Sequence, residues 1–129
     1  TQIAINITTD RDLLLTKTLN ELKRKGYNLE FTREATCIYC FEWQQWIMPA
    51  NFTVDGSYYF EEMVNPDADR MLYAISLSRG GRGFLVDTCG VYADNISQEM
   101  MQKLIEIKAE IISYEDSYKD DLTNAIKKK

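Results

Sequence analysis

Histidine is absent from this sequence of 129 residues. That removes Ser-His-Asp and Cys-His catalysis, the commonest metal ligand and the usual proton shuttle near neutral pH. Any enzyme built on this chain works with carboxylates, lysine, tyrosine, cysteine or a substrate-bound metal. Cysteine is scarce and odd in number, three residues, which is no disulfide framework. There is no internal repeat or low-complexity block. No apolar run approaches the roughly 20 residues that a membrane span needs, so no membrane contact is expected. The opening stretch TQIAINITTDRD lacks the basic region and long apolar core of a secretory signal. A cytoplasmic protein is therefore the expectation. Positive charge is also in short supply, with a net charge of −5. That argues against nucleic acid or anionic membrane as a partner, since both need basic surface. The two basic runs, Lys23 to Lys25 and Lys127 to Lys129, read as a helix end and a solvated tail.

What is present is ordinary globular material: 45% hydrophobic, 12% aromatic and 27% charged residues. The length suits one domain with a real core. The stretch ITTDRDLLLTKTLNELKRKGYN predicts a helix. Leu15, Leu19 and Leu22 recur at helical spacing, Thr9 or Asp10 can cap it, and Gly26 stops it. Residues 2–7 alternate and suit a short strand or a lead-in. Four stretches then read as strands: LEFTREATCIYCFEW, FTVDGSYYFEEM, RMLYAISLS and GFLVDTCGVYA. Gly80-Gly81 marks a hairpin between the last two. From Asn95 a long helix is expected, capped by Asn95 or Ser97. It carries Met100, Leu104, Ile107, Ile111, Tyr114 and Tyr118 as a seam, continued by Leu122 or Ala125. The expected fold is α+β: an N-terminal helix, about four strands in a mainly antiparallel sheet, and the long C-terminal helix packed on that sheet. The domain core is expected at about residues 10–112, with a helical extension over 113–129.

Several motifs invite chemistry. Cys37 and Cys40 stand at the spacing of a metal knuckle or redox pair. In a regular strand, residues three apart lie about 10 Å apart, beyond the roughly 7 Å a disulfide spans. They therefore read as packing residues. Cys89 has no second pair to join. Asp55, Glu61, Glu62, Asp67, Asp69, Asp87 and Asp94 are candidate acid-base or metal groups. The stretch NPDADR lacks the glycine and distal glutamate of a calcium loop. SRGGRGF, with Arg79 and Arg82, has the composition of an anion-binding loop. It lacks the order and the strand-to-helix setting of a phosphate loop, so the hairpin reading is preferred. WQQWIMP, with Trp43, Trp46 and Met48, reads first as an apolar cover over the core. Its alternative is an exposed binding patch.

The ordered motifs LKRKGY (core 23 to 27), FTVDGSYYFEEM, NPDAD, LYAIS, GRGFLVD and GVYAD resemble a family of small uncharacterised bacterial proteins. Its members are often labelled phosphoribosylpyrophosphate synthetase. An arginine of that family's pattern is replaced here by Tyr59. The resemblance implies a shared small fold, with no catalytic, cofactor or metal residue to carry over.

The functional expectation is a non-catalytic binding or regulatory domain. A protein partner or a second copy would contact Trp43, Trp46 and Met48, or Tyr114, Tyr118 and Leu122 on the C-terminal helix. The rival is a phosphate-ligand protein or enzyme of nucleotide or sugar-phosphate metabolism. It would use Arg79 and Arg82 for phosphate, and Glu61, Asp87 or Asp94 for magnesium. A structural or accessory protein of a phage or mobile element is a further alternative.

Overall fold

The computed structural model describes residues 10–61, 70–88 and 95–112. Helix α1 (Asp10–Arg24) forms where the leucine spacing predicts it. Its basic last turn, Lys23 and Arg24, suits the negative end of the helix dipole. The chain leaves it through Gly26 at φ 100°, a conformation that favours glycine.

Seven strands follow in one mixed sheet: β1 (Leu29–Arg33), β2 (Ile38–Cys40), β3 (Gln45–Ile47), β4 (Phe52–Phe60), β5 (Arg70–Leu77), β6 (Arg82–Thr88) and β7 (Glu110–Ile112). Their order across the sheet is β3-β2-β1-β6-β5-β4-β7. The β1/β6 and β4/β7 pairs are parallel and the others antiparallel. A second helix, α2 (Gln98–Ile105), precedes β7.

This corrects the expected fold in two places. The stretch from Leu29 to Trp43 is not one strand. Glu34 N donates to Cys37 O at 2.9 Å, closing a turn that splits it into β1 and β2. The expected long C-terminal helix packed on four strands is also not formed. The helix ends at Ile105, and Glu110–Ile112 instead pairs with β4. The reason lies in the residues. Ile105, Ile107, Ala109 and Ile111 also alternate at strand period, and β-branched side chains favour the pleated state. Pairing with β4 gives its outer backbone groups partners that a helix cannot supply. Tyr114, Tyr118 and Leu122, the rest of the proposed seam, lie outside the described residues, as do Cys89 and Asp94.

The sheet is curled. A flat sheet would place β3 and β4 five spacings apart, on the order of 24 Å. Five residues, from Ile47 to Phe52, reach at most about 18 Å. Rolling the sheet resolves the conflict and makes one face concave. That face holds the main core: Phe31, Ile38, Cys40, Ile47, Phe52, Val54, Tyr73, Ile75, Leu77 and Leu85, closed by Met100 and Leu104 of α2. Ser97 caps α2 by accepting from Met100 N at 3.2 Å, and its own N–H donates to Ala35 O in the β1–β2 turn. The convex face is covered by α1 over β4, β5 and β6, where Leu22 meets Phe60, Leu72, Ala74 and Phe84.

A bulge in β4 assists the curl. Val54 pairs with Ile75 and Gly56 with Ala74, so Asp55 is the extra residue. Phe52 and Val54 therefore point inward, whereas Tyr58 and Phe60 point to the α1 side. Asp55 accepts from Tyr27 Oη at 2.9 Å and from Ser76 Oγ, which ties the bulge to the α1–β1 turn.

Candidate functional site

α1 lies over the β4–β6 part of the convex face. On β2 and β3 that face is aromatic. Tyr39 and Trp46 sit directly opposite each other in the β2–β3 ladder, on the side away from buried Ile38, Cys40 and Ile47. Their rings lie 4.9 Å apart between centroids, and Phe41 meets Tyr39 edge-on at 5.5 Å. Three large side chains remain open to solvent here: Phe41 (48% exposed), Trp46 (66%) and Met48 (49%); Trp43 (37%) lies instead beside Gly81 and Leu29 at the β5–β6 hairpin. Local sequence explains the geometry. Strand alternation sends Ile38, Cys40 and Ile47 inward and so sends Tyr39, Trp46 and Met48 outward. Gln44, at φ 52°, turns the chain between the two strands.

The first reading of WQQWIMP as a cover over the core is therefore corrected. Only Ile47 and Pro49 of that stretch are buried. Sequence reasoning also missed Tyr39 and Phe41 as members of the patch. The available signal was their alternation with the buried Ile38 and Cys40.

Trp43 is held against the β5–β6 hairpin. The Arg79 guanidinium stacks over the Trp43 ring at 5.6 Å, and its Nη1 donates to Gln45 Oε1 at 2.9 Å. Arg82 is engaged elsewhere: it stacks over Tyr27 at 5.4 Å and donates to Lys25 O at 3.4 Å. The two arginines of the SRGGRGF hairpin thus brace different neighbours. Among the described residues, they do not share a site with Glu61 or Asp87. Asp87 lies five residues along β6 from Arg82, on the order of 17 Å in an extended strand, and pairs with Arg33. Glu61 follows the far end of β4, where its N–H donates to Ile112 O at 3.3 Å.

The cysteines are arranged for packing. Cys37 and Cys40 are buried free thiols. Burial pushes the Cys37 thiol above its ordinary range, with the nearby Glu34 charge acting in the same direction and a hydrogen bond with Thr36 opposing. A raised value keeps the nucleophilic thiolate scarce. Among the described residues no three acidic or cysteine side chains gather as metal ligands. An open cleft of about 420 Å³ lies between α2 and the turn at Pro49–Ala50, lined by Glu99, Gln102, Lys103 and Glu106. Its Lys103 leans over the Phe52 ring and lies 4.0 Å from Glu106, so its charges are spread along the helix. No described helix is long and apolar enough to cross a membrane.

No family model matches the chain, and no curated protein or solved structure matches it either.

Proposed function

We propose that this chain is a non-catalytic interaction domain whose contact surface is the aromatic face of β2 and β3. The observation that carries the reading is the packing of two exposed aromatic side chains, Phe41 and Trp46, around Tyr39, with exposed Met48 next to them by strand alternation. Scattered exposed apolar residues are normal on a protein surface, whereas a contiguous patch of this kind marks a contact site. Trp and Tyr are also the side chains that dominate binding energy at interfaces. The raised Cys37, the absence of histidine and the separation of Arg79 and Arg82 from Glu61 and Asp87 support binding over catalysis. The motif resemblance, which brings a small fold and no catalytic residue, agrees with this reading.

The test is oxidative footprinting of the full chain, dilute and pure against the same chain inside cells. Met48 and Trp46 oxidise readily when open to solvent. The reading predicts strong oxidation of both in the dilute chain and clear protection in cells. Equal oxidation in the two settings would overturn it.

A further inference from the structure

We infer that Arg79 is a positioning residue: from the β5–β6 hairpin it fixes the entry to β3, the strand that carries Trp46 and leads into Met48. This rests on the reading of the aromatic face as a contact surface. Among the described residues β3 has one ladder neighbour, β2, and it is three residues long. So short a strand makes few ladder bonds, and a two-stranded ribbon is marginal in water without further packing. On its inner side only Ile47 is buried.

The entry to β3 is also strained. Gln44 has φ 52°, and among the described residues no other non-glycine residue has a positive φ. A side chain disfavours that conformation, which persists only where neighbours hold it. Arg79 engages the residue on either side of Gln44. Its guanidinium lies over the Trp43 ring at 5.6 Å, and its Nη1 donates to Gln45 Oε1 at 2.9 Å. The stack orients the planar fork, and one of its N–H groups then meets the amide. The hairpin turn places Arg79 itself: Leu77 N donates to Gly81 O at 2.9 Å and Gly80 N to Leu77 O at 3.0 Å. In the sheet order β2 and β1 stand between β3 and β6. The guanidinium is thus a long-range tie that the ladder does not supply.

Arg79 is exposed. Removing it takes away one hydrogen bond and one stack at the surface and leaves the core untouched. Its loss therefore loosens β3 locally.

The experiment is hydrogen exchange of the purified full chain, read by mass spectrometry, with Arg79→Ala and Gln45→Ala alone and combined. Local opening sets exchange in such a segment. The expected result for Arg79→Ala is about fivefold faster uptake over residues 43–48, with residues 70–77 of β5 and the urea midpoint unchanged. Gln45→Ala also speeds uptake, and the double variant goes no faster than Arg79→Ala. Inside cells, Arg79→Ala lowers the protection of Met48 from oxidation. Unchanged uptake over residues 43–48, or a rise shared by residues 70–77, overturns the inference. Faster uptake over 43–48, with native Met48 equally oxidised in the dilute chain and in cells, upholds the hold of Arg79 on β3 and overturns the contact reading alone. Gln45→Ala removes the hydrogen bond and leaves the stack, which keeps the test decisive if Arg79→Ala fails to fold.

Discussion

The Trp43 indole lies directly against Gly81. A Cβ placed on that glycine would come within 2.9 Å of the ring. The contact locks the β2–β3 loop onto the β5–β6 hairpin. Gly80 and Gly81 both have φ values reserved for glycine, 95° and 104°, but nothing lies within 4 Å of a Cβ at Gly80. The two alanine variants therefore separate two effects. Gly80→Ala bears the backbone strain alone, about 1 kcal/mol. Gly81→Ala bears a similar strain and also displaces Trp43. Urea denaturation should show Gly81→Ala as the less stable of the two. Tryptophan emission should shift toward solvent exposure in Gly81→Ala only. Equal stability and unchanged emission would mean that the indole is not held there.

Arg33 and Asp87 join the parallel strands β1 and β6 on the concave face. Arg33 Nε lies 2.5 Å from Asp87 Oδ2, and the side chains are only 11% and 19% exposed. Exposed ion pairs contribute little, while breaking a buried one leaves an uncompensated charge. With this degree of burial, Asp87→Ala should cost about 2 kcal/mol. Replacing Arg33 by Met in the same chain should recover part of that loss. A double-mutant cycle measures both, and a cost under about 0.5 kcal/mol would place the pair in the solvent-screened class.

Among the described residues, three groups tie stability to alkaline pH. Burial raises the Tyr27 hydroxyl, reinforced by its hydrogen bond to Asp55 and by that carboxylate's charge. Burial raises Tyr58 as well, with the Glu110 and Glu21 charges adding to it. Cys37 is raised for the reasons given above. In each case the unfolded chain loses its proton first. Stability is fully present below the unfolded values, near 8.5 for cysteine and 10 for tyrosine, and falls as pH rises through the folded ones. Urea midpoints should hold steady to about pH 8.5 and then decline. Tyr27→Phe should lose about 0.5 kcal/mol at neutral pH and show a shallower alkaline decline. A midpoint that stays flat with rising pH would contradict the burial of these groups.

Some of this architecture was readable from residues alone. Leu15, Leu19 and Leu22 ahead of Gly26 announce α1, and Gly80-Gly81 announces the β5–β6 hairpin. Other features leave little local trace. The turn at 34–37 contains neither Gly nor Pro, so its backbone hydrogen bond, and not its composition, breaks the strand. The bulge at Asp55 reverses the inside and outside of β4 midway, and FTVDGSYYF gives no warning of it. β7 was hidden because Ile107 and Ile111 satisfy helical and strand spacing together. The open side of β4, which comes from the rest of the sheet, selects the strand. The aromatic patch was half legible. Trp43, Trp46 and Met48 stand out as apolar residues in an irregular stretch, but only the curl and the placement of α1 decide that they face solvent.

The most direct test of the interaction face is oxidative footprinting of Met48 in the full chain, dilute and pure against the same chain inside cells, beside Trp46→Glu. Trp46 is largely exposed, so the substitution should leave the fold intact. The predicted result is that Met48 is protected in cells in the native chain and loses that protection in Trp46→Glu. Equal oxidation of Met48 in the two settings, or protection that survives Trp46→Glu, would contradict the reading of the β2–β3 aromatic face as a contact surface.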